Sequence, residues 1–396
     1  MNNPLTIIHA IPVYAPAWQY GGPVLSVSRL CEALAMTEHR VRVLTTNAGL
    51  RQLKYEDLGR CTQRHGVEVN YFPVNEKDGM ITSTSLEKVL PELLDGADII
   101  HLSAVWQPFG IPLQRVAHEL GIPVLHSLRG ALSPYSWRRS WWKKIPYYLL
   151  REQPWLQRAA GLHVTTQQEE NELVKLRLKA PFYQLANPID LKYLQLDPSS
   201  GEAWRYKNGI SPDIPLLLIC GRQHHKKGLD LLIPVLQKLN QCQWKLLLVG
   251  NDDDGTGTQF VNSLNEIGLR DRLIQLPSQA ATELGPIYNA ADLLLLPSRH
   301  ENFGNVVIES LACGCAVAVS DKTGVGGDLS NGAPTNFGAV LPREAGAWAD
   351  WLASWLNNPQ RAGKNCAQWI AQRYSSEAVA IQAVSIYQQI LKSRQR

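Results

Sequence analysis

Short, unbroken apolar runs separated by stretches with helical spacing constrain this chain more than any other feature. In the second half, strand-like runs fall at 215–220, 244–249, 272–276, 292–296 and 316–320, with helical connectors at 229–240, 259–267 and 284–291. Runs that do not alternate apolar with polar are buried on both faces, and strands joined by helices lie parallel. The first half follows the same plan, with strands at 5–14, 40–46, 67–72, 97–103, 123–128 and 161–165 and a helix at 23–36 that turns Leu25, Leu30 and Leu34 inward. The expected fold is α/β: two Rossmann-like, doubly wound parallel-sheet domains facing a cleft.

A chain of 396 residues is too long for one ordinary core. The boundaries read as 1–190 for the first domain, 191–214 for a linker and 215–396 for the second. The segment 187–215 is rich in Pro, Ser, Gly and Asp and forms the natural hinge. The last helical stretch, 375–392, either stays with the second domain or returns to the first.

Thirty-nine basic and 35 acidic side chains leave a net charge of +4, too mild to call for a nucleic-acid partner. The seven cysteines are scattered, odd in number and mostly within apolar runs, as free thiols in a reducing compartment would be. Cys313 and Cys315 lack a second ligand pair, so no metal is expected there. Residues 1–4 lead straight into a strand, without a basic leader, and no run approaches the ~20 apolar residues of a spanning helix. The expected location is cytoplasmic, with peripheral attachment to the inner membrane face left open.

The densest chemistry lies in Glu301-Asn302-Phe303-Gly304-Asn305-Val306-Val307-Ile308-Glu309. Two carboxylates eight residues apart bracket an aromatic, a glycine and the start of a helix expected over 303–313. The first N–H groups of a helix lack partners within it and favour an anion. Eight helical residues span roughly 12 Å, comparable with the reach from a donor sugar across a diphosphate to a ribose. Glu301 then holds sugar hydroxyls and Glu309 ribose hydroxyls. The plainer reading is two acids flanking a surface helix.

Arg222 and Lys227 follow the first strand of the second half, at the same sheet end as Glu301. Fixed cations there stabilise a departing diphosphate; the rival reading is a solvated basic loop. His224 and His225 between them read as loop histidines, and Asp252-Asp253-Asp254 as a solvated loop rather than a metal site. In the first half, Tyr20-Gly21-Gly22-Pro23 joins strand to helix. It allows close approach of a ligand to backbone, although a plain tight turn fits equally and the GxGxxG dinucleotide pattern is absent. Of His126 and Arg129 at a later strand end, Arg129 is the better site candidate, because strand alternation places His126 toward the core.

Gly21-Gly22, Arg222, Lys227-Gly228, Leu295-Leu296-Pro297-Ser298, Glu301 and Glu309 together resemble the GT-B glycosyltransferases of retaining family 4, over nearly the whole chain. The resemblance implies a nucleotide-sugar donor, UDP-sugar ahead of GDP-sugar, bound mainly by the second domain. It implies metal-independent transfer with retention to a glycan or lipid-linked acceptor, in surface polysaccharide or glycolipid assembly. Carried over, Arg222, Lys227, Glu301 and Arg129 serve catalysis. Gly21, Gly22, Phe303, Gly304, Asn305, Val306 and Glu309 bind donor, and Ser278 and Gln279 lie where the base is seated. Such enzymes loosen the C1–O bond toward an oxocarbenium-like state; the acceptor attacks on the face the phosphate leaves, and a phosphate oxygen takes the proton. A covalent intermediate is the alternative. The family's usual histidine position is Arg129 here, and the usual Asn-Gly before the hinge is Asn187-Pro188.

Residues 135–151 hold five basic side chains and no acid, interleaved with Trp and Tyr. Trp137, Arg138, Arg139, Trp141, Trp142, Lys143 and Lys144 suit a membrane interface. Acceptor-site lining and ordinary packing also fit, and Pro146 is expected to interrupt any continuous helix there. Two other functions stay open: a nucleotide-sugar epimerase on the same fold, and a non-catalytic partner that binds nucleotide sugar.

Overall fold

The computed structural model describes residues 4–50, 57–138 and 141–394. It divides into two compact units, Met1–Pro188 with Ser376–Arg396, and Ile189–Ser375.

The first unit is built on β1 (Thr6–Val13), β2 (Arg40–Thr46), β3 (Cys61–Arg64), β4 (Val67–Phe72), a small hairpin of β5 (Asn75–Lys77) and β6 (Met80–Thr82), then β7 (Ile99–Leu102), β8 (Val124–Ser127), β9 (Gly161–Val164) and β10 (Phe182–Gln184). The main sheet runs β10-β9-β8-β7-β1-β2-β4-β3. Its pairs are parallel except β3 on β4, which is antiparallel. That edge departs from the all-parallel sequence reading, and a tight turn explains it. Arg64 pairs with Val67 across His65-Gly66, both at positive φ, the two-residue geometry that matches strand twist. Asp78-Gly79 joins β5 to β6 in the same way.

Helix Gly22–Ala35 and the final helix Ser376–Arg394 cover one face of this sheet. Val379, Ala383, Ile386, Tyr387 and Ile390 of the last helix are buried in one cluster with Ile7, Val27, Leu30, Val43 and Ile99. The last helix therefore belongs to the core of the first unit.

The second unit holds β11 (Leu216–Cys220), β12 (Lys245–Val249), β13 (Leu273–Leu276), β14 (Leu293–Leu296), β15 (Ala316–Ser320) and β16 (Gly338–Leu341). They are all parallel, in the order β13-β12-β11-β14-β15-β16. Every residue of β11, β14 and β15 is buried, as expected for strands covered on both faces. Within 191–214, helix Pro198–Lys207 packs on helix Ala281–Ala290. Successive strands fan out to both sides of β11, so the strand order reverses between β11 and β14. In open α/β sheets ligands bind outside the carboxyl ends of strands at that reversal.

Candidate active site

Both loops at this reversal are shaped by glycines. Gly221 beyond β11 and Gly250 beyond the neighbouring β12 have positive φ, and a Cβ on Gly250 would lie 2.1 Å from the Gly221 carbonyl oxygen. The loop closes in a single 3-10 turn, His225–Lys227, ended by Gly228 at φ 65°. A Cβ there would stand 2.5 Å from the Pro297 carbonyl oxygen beyond β14. The Arg299 N–H donates to the Lys226 carbonyl at 2.7 Å, tying the two loops.

Glu301 is pinned through its backbone, with its N–H on Lys322 O at 2.9 Å and its carbonyl accepting from Gly324 at 2.8 Å. Its side chain meets Lys227, with Nζ 2.6 Å from Oε2 and about a quarter of each side chain exposed. Burial pushes the Glu301 carboxyl up, but Lys227 and Lys226 outweigh it and hold the group below the usual carboxylate range. A pair this exposed contributes at most about 1 kcal/mol to stability, so its main effect is on position and charge.

Phe303 is buried, Gly304 takes the left-handed conformation at φ 102°, and the helix runs Asn305–Ala312. It starts two residues later than the sequence spacing suggests because Gly304 caps it. Asn305 and Val306 thus occupy the first turn. Glu309, 6% exposed, has Oε2 3.0 Å from the Tyr288 hydroxyl, which also lies 3.4 Å from Cys220 Sγ. Burial raises the Tyr288 pKa well above its ordinary value and keeps it a donor.

Arg222 is two-thirds exposed and pairs with Asp253 at 3.0 Å. The acidic run 252–254 is exposed, as a solvated loop is, and the carboxylates of Asp252 and Asp254 are hydrogen-bonded to the backbone around them. Asp252 caps helix Thr256–Glu266 by accepting from Gly255, Gly257 and Thr258, and Asp254 accepts from the His225 N–H. His224, His225 and Asp254 offer three ligand atoms within 4.8 Å, the set among the described residues that could hold a metal. His224 Nδ1, however, already accepts from the Lys226 N–H at 3.2 Å. The Ser278 N–H donates to Asn251 Oδ1 at 3.0 Å, and Gln279 Nε2 donates to Pro277 O at 2.9 Å. Neither lines the adjacent cavity of about 560 Å³, whose walls include Gln223, Gly250, Asn251, Leu276 and Pro277.

In the first unit, Gly21 adopts φ 84°, ψ −150°, a region open essentially to glycine, and Gly22 begins the helix. Arg129, itself at φ 47°, donates from one Nη to Ser26 Oγ at 2.8 Å and Asn187 Oδ1 at 2.9 Å. Burial brings its pKa down to about 10. His126 is fully buried with neither ring nitrogen hydrogen-bonded.

Sequence reasoning missed a buried histidine chain. His163 Nε2 lies 2.7 Å from the Leu185 carbonyl, which only accepts, so Nε2 carries the proton and Nδ1 accepts from His101 Nε2 at 2.9 Å. His101 Nδ1 must then accept from the Tyr387 hydroxyl at 2.8 Å, whose oxygen faces His9 Nε2 at 3.4 Å. Burial lowers His9, His126 and His163 to about 3. The available signal was one histidine inside each of β1, β7, β8 and β9.

Trp141 and Trp142 are 60% and 62% exposed, and Ile145, Leu149 and Leu150 are also exposed. Lys143 sits over the Trp142 ring at 4.9 Å. Trp137 instead packs edge-on against Trp106 at 5.3 Å, and Lys144 donates to Ser136. Arg138 is exposed, while Arg139 lies outside the described residues. Pro146 does not break the helix Trp141–Tyr147; the chain widens into a π turn at Tyr148–Glu152 just beyond it. No helix among the described residues is long and apolar enough to cross a membrane.

Residues 200–375 match the glycosyl transferases group 1 family, and residues 21–184 match the glycosyl transferase 4-like domain. This chain belongs to the group 1, family 4-like glycosyltransferases. It is 28% identical over 272 residues to a D-inositol 3-phosphate glycosyltransferase of Mycolicibacterium smegmatis, covering 67% of this chain and 59% of the relative. The chain therefore spans about three fifths of that relative's length. Its fold matches sucrose-phosphate synthase of Thermosynechococcus elongatus (TM-score 0.72, 21% identity, 98% of this chain and all of that one). It also matches Anabaena HepE in complex with UDP and glucose (TM-score 0.73, 18% identity, 97% of this chain and all of that one). The GT-B architecture of these glycosyltransferases is the two-sheet α/β fold expected from the sequence.

Proposed function

We propose that the chain transfers a sugar from a nucleoside diphosphate sugar, UDP-sugar first and GDP-sugar next, to a glycan or lipid-linked acceptor. Transfer proceeds with retention and without a metal. The observation that carries this reading is the Lys227–Glu301 contact of 2.6 Å at the strand-order reversal, one turn ahead of a helix that bears Glu309. In that setting Glu301 takes donor-sugar hydroxyls, releasing Lys227 toward the diphosphate, whose charge also meets the first N–H groups of helix Asn305–Ala312. Glu309 takes the ribose. HepE, similar in fold, is a complex with UDP, which favours a uridine donor. The exposed Trp141, Trp142, Ile145, Leu149 and Leu150 beside Lys143 support contact with an anionic membrane surface near a lipid-linked acceptor, on the cytoplasmic side.

The test is thermal stabilisation by UDP, GDP, ADP and their sugar conjugates in EDTA, for wild type and Glu309→Ala. Ligand at about 100 times its dissociation constant adds roughly 2.7 kcal/mol. A base-selective shift that survives EDTA and shrinks in Glu309→Ala supports the reading; no shift with any nucleotide removes it.

A further inference from the structure

Phe303 lies between the two proposed donor contacts, Glu301 and the first turn of helix Asn305–Ala312, yet its ring points away from solvent, at 3% exposure. It meets the ring of Tyr374 edge to face, with centroids 6.0 Å apart and an interplanar angle of 69°. Tyr374 is equally covered and is backed by Trp369 at 5.6 Å. Its hydroxyl donates to Asp328 Oδ2 at 2.9 Å. The helix bearing Asp328 follows directly on Val325, whose N–H donates to the Phe303 carbonyl at 2.9 Å. The donor loop is thus held through its backbone by residues 322–325 and through its ring by Tyr374.

The other end of Tyr374 faces a different task. Its carbonyl accepts from the Ile189 N–H at 2.8 Å, and Ile189 bridges Ser375. Pro188–Ile189 and Ser375–Ser376 are the two places where the chain passes between the units. One residue therefore joins the donor loop to both crossings.

We propose that Tyr374 is a positioning residue that couples occupancy of the donor loop to the backbone of the two crossing segments, through the Phe303 ring. Close-packed interiors transmit displacement because they have no slack. A ligand whose diphosphate engages Lys227, the partner of Glu301, and the first N–H groups of the helix draws on the chain on both sides of Phe303. The ring cannot follow without moving Tyr374, and Tyr374 is fixed to Asp328 at its hydroxyl and to Ile189 at its carbonyl. The proposal rests on the donor reading of this loop.

The test combines UDP titration with amide hydrogen exchange in wild type, Tyr374→Phe and Tyr374→Leu. UDP is expected to slow exchange of the Ile189 amide at least fivefold in wild type and in Tyr374→Phe, which keeps the ring. In Tyr374→Leu, UDP still binds, within about threefold of wild-type affinity and with protection of the Val325 amide, but the Ile189 amide no longer responds. A merely structural role would lower both amides' protection in the absence of UDP and leave the ligand response intact, and that result overturns the proposal. So does binding of UDP by wild type with no change at Ile189. Failure of wild type to bind UDP, GDP or ADP brings down the donor reading and this inference with it, which separates the two failures.

Discussion

The sheet of the second unit is made of strands such as Leu293–Leu296 and Ala316–Ser320, buried throughout and apolar but for a terminal serine, and three charges of that unit's proposed site, Lys227, Glu301 and Arg222, stand in the turns beyond the strands. In the first unit, four adjacent strands each carry a histidine into the interior, at His9, His101, His126 and His163, with exposures of 2% or less. One unit keeps ionised groups at its rim, where a charged ligand reaches them. The other keeps four histidines neutral inside, with the protons of His101 and His163 committed to a fixed sequence of hydrogen bonds and His126 without a hydrogen-bond partner. The same winding thus supports two placements of polar groups, charges beyond the strand ends and neutral histidines within the strands.

Removing the rim charge tests the first half of that contrast. Lys227→Ala is expected to lower sugar transfer by about 10²–10³-fold, the range for loss of one preorganised group facing developing charge, with little change in unfolding free energy because the pair is partly exposed. Steady-state kcat/KM together with a denaturant melt checks both parts. A large loss of stability with normal turnover would make the ion pair structural and break the contrast.

Acid probes the other half. The folded pKa values of His9, His126 and His163, about 3, lie below the unfolded value near 6.5. Between those limits the unfolded chain binds more protons. Stability is full above pH ~6.5 and falls as pH drops toward 3, by about 1.4 kcal/mol per pH unit for each histidine. His126 sharpens this. Both of its nitrogens lack hydrogen bonds in the interior, so His126→Leu is expected to stabilise the first unit by about 1–3 kcal/mol at pH 7 and to flatten the acid dependence by one histidine's share. Urea melts at pH 7.5, 6 and 5 measure this, and an unchanged slope would show that His126 does not titrate on unfolding.

The smallest effect is expected on the surface. Trp141→Ser with Trp142→Ser leaves stability within about 0.5 kcal/mol and reduces sedimentation with phosphatidylserine vesicles several-fold. Equal sedimentation of variant and wild type would remove the membrane contact.

The second unit was the more legible in sequence. Runs such as Leu216–Cys220 and Leu293–Leu296 are buried on both faces and carry an unmistakable strand signal, and the glycines at 221, 228 and 304 fall where backbone geometry demands them. The Lys227–Glu301 contact was legible as a shared sheet end, because both residues follow strands that flank the reversal. What escaped depended on partners distant in sequence. Gly338–Leu341 and Phe182–Gln184 are short, half-buried edge strands whose pairing comes from their neighbours. Asp253 gave no sign that it would engage Arg222, 31 residues away, and His101 none that its partner would be Tyr387, 286 residues away. Local pattern encodes burial well, whereas a hydrogen bond across the fold is written in two places at once.

The helix Ser376–Arg394 has a consequence for how the protein is made. It supplies Tyr387, the middle of the histidine chain, and a full side of the core around Ile7, Val43 and Ile99. On the ribosome, the strands of the first unit emerge early, but this helix follows only after the 187 residues of Ile189–Ser375, roughly 10–40 s later at ordinary elongation rates. The second unit has all its parts first and is free to fold while the nascent first unit still lacks one wall. The order of completion is the reverse of the order of synthesis, and the interval leaves His9 and His101 without their Tyr387 partner until the helix Ser376–Arg394 docks.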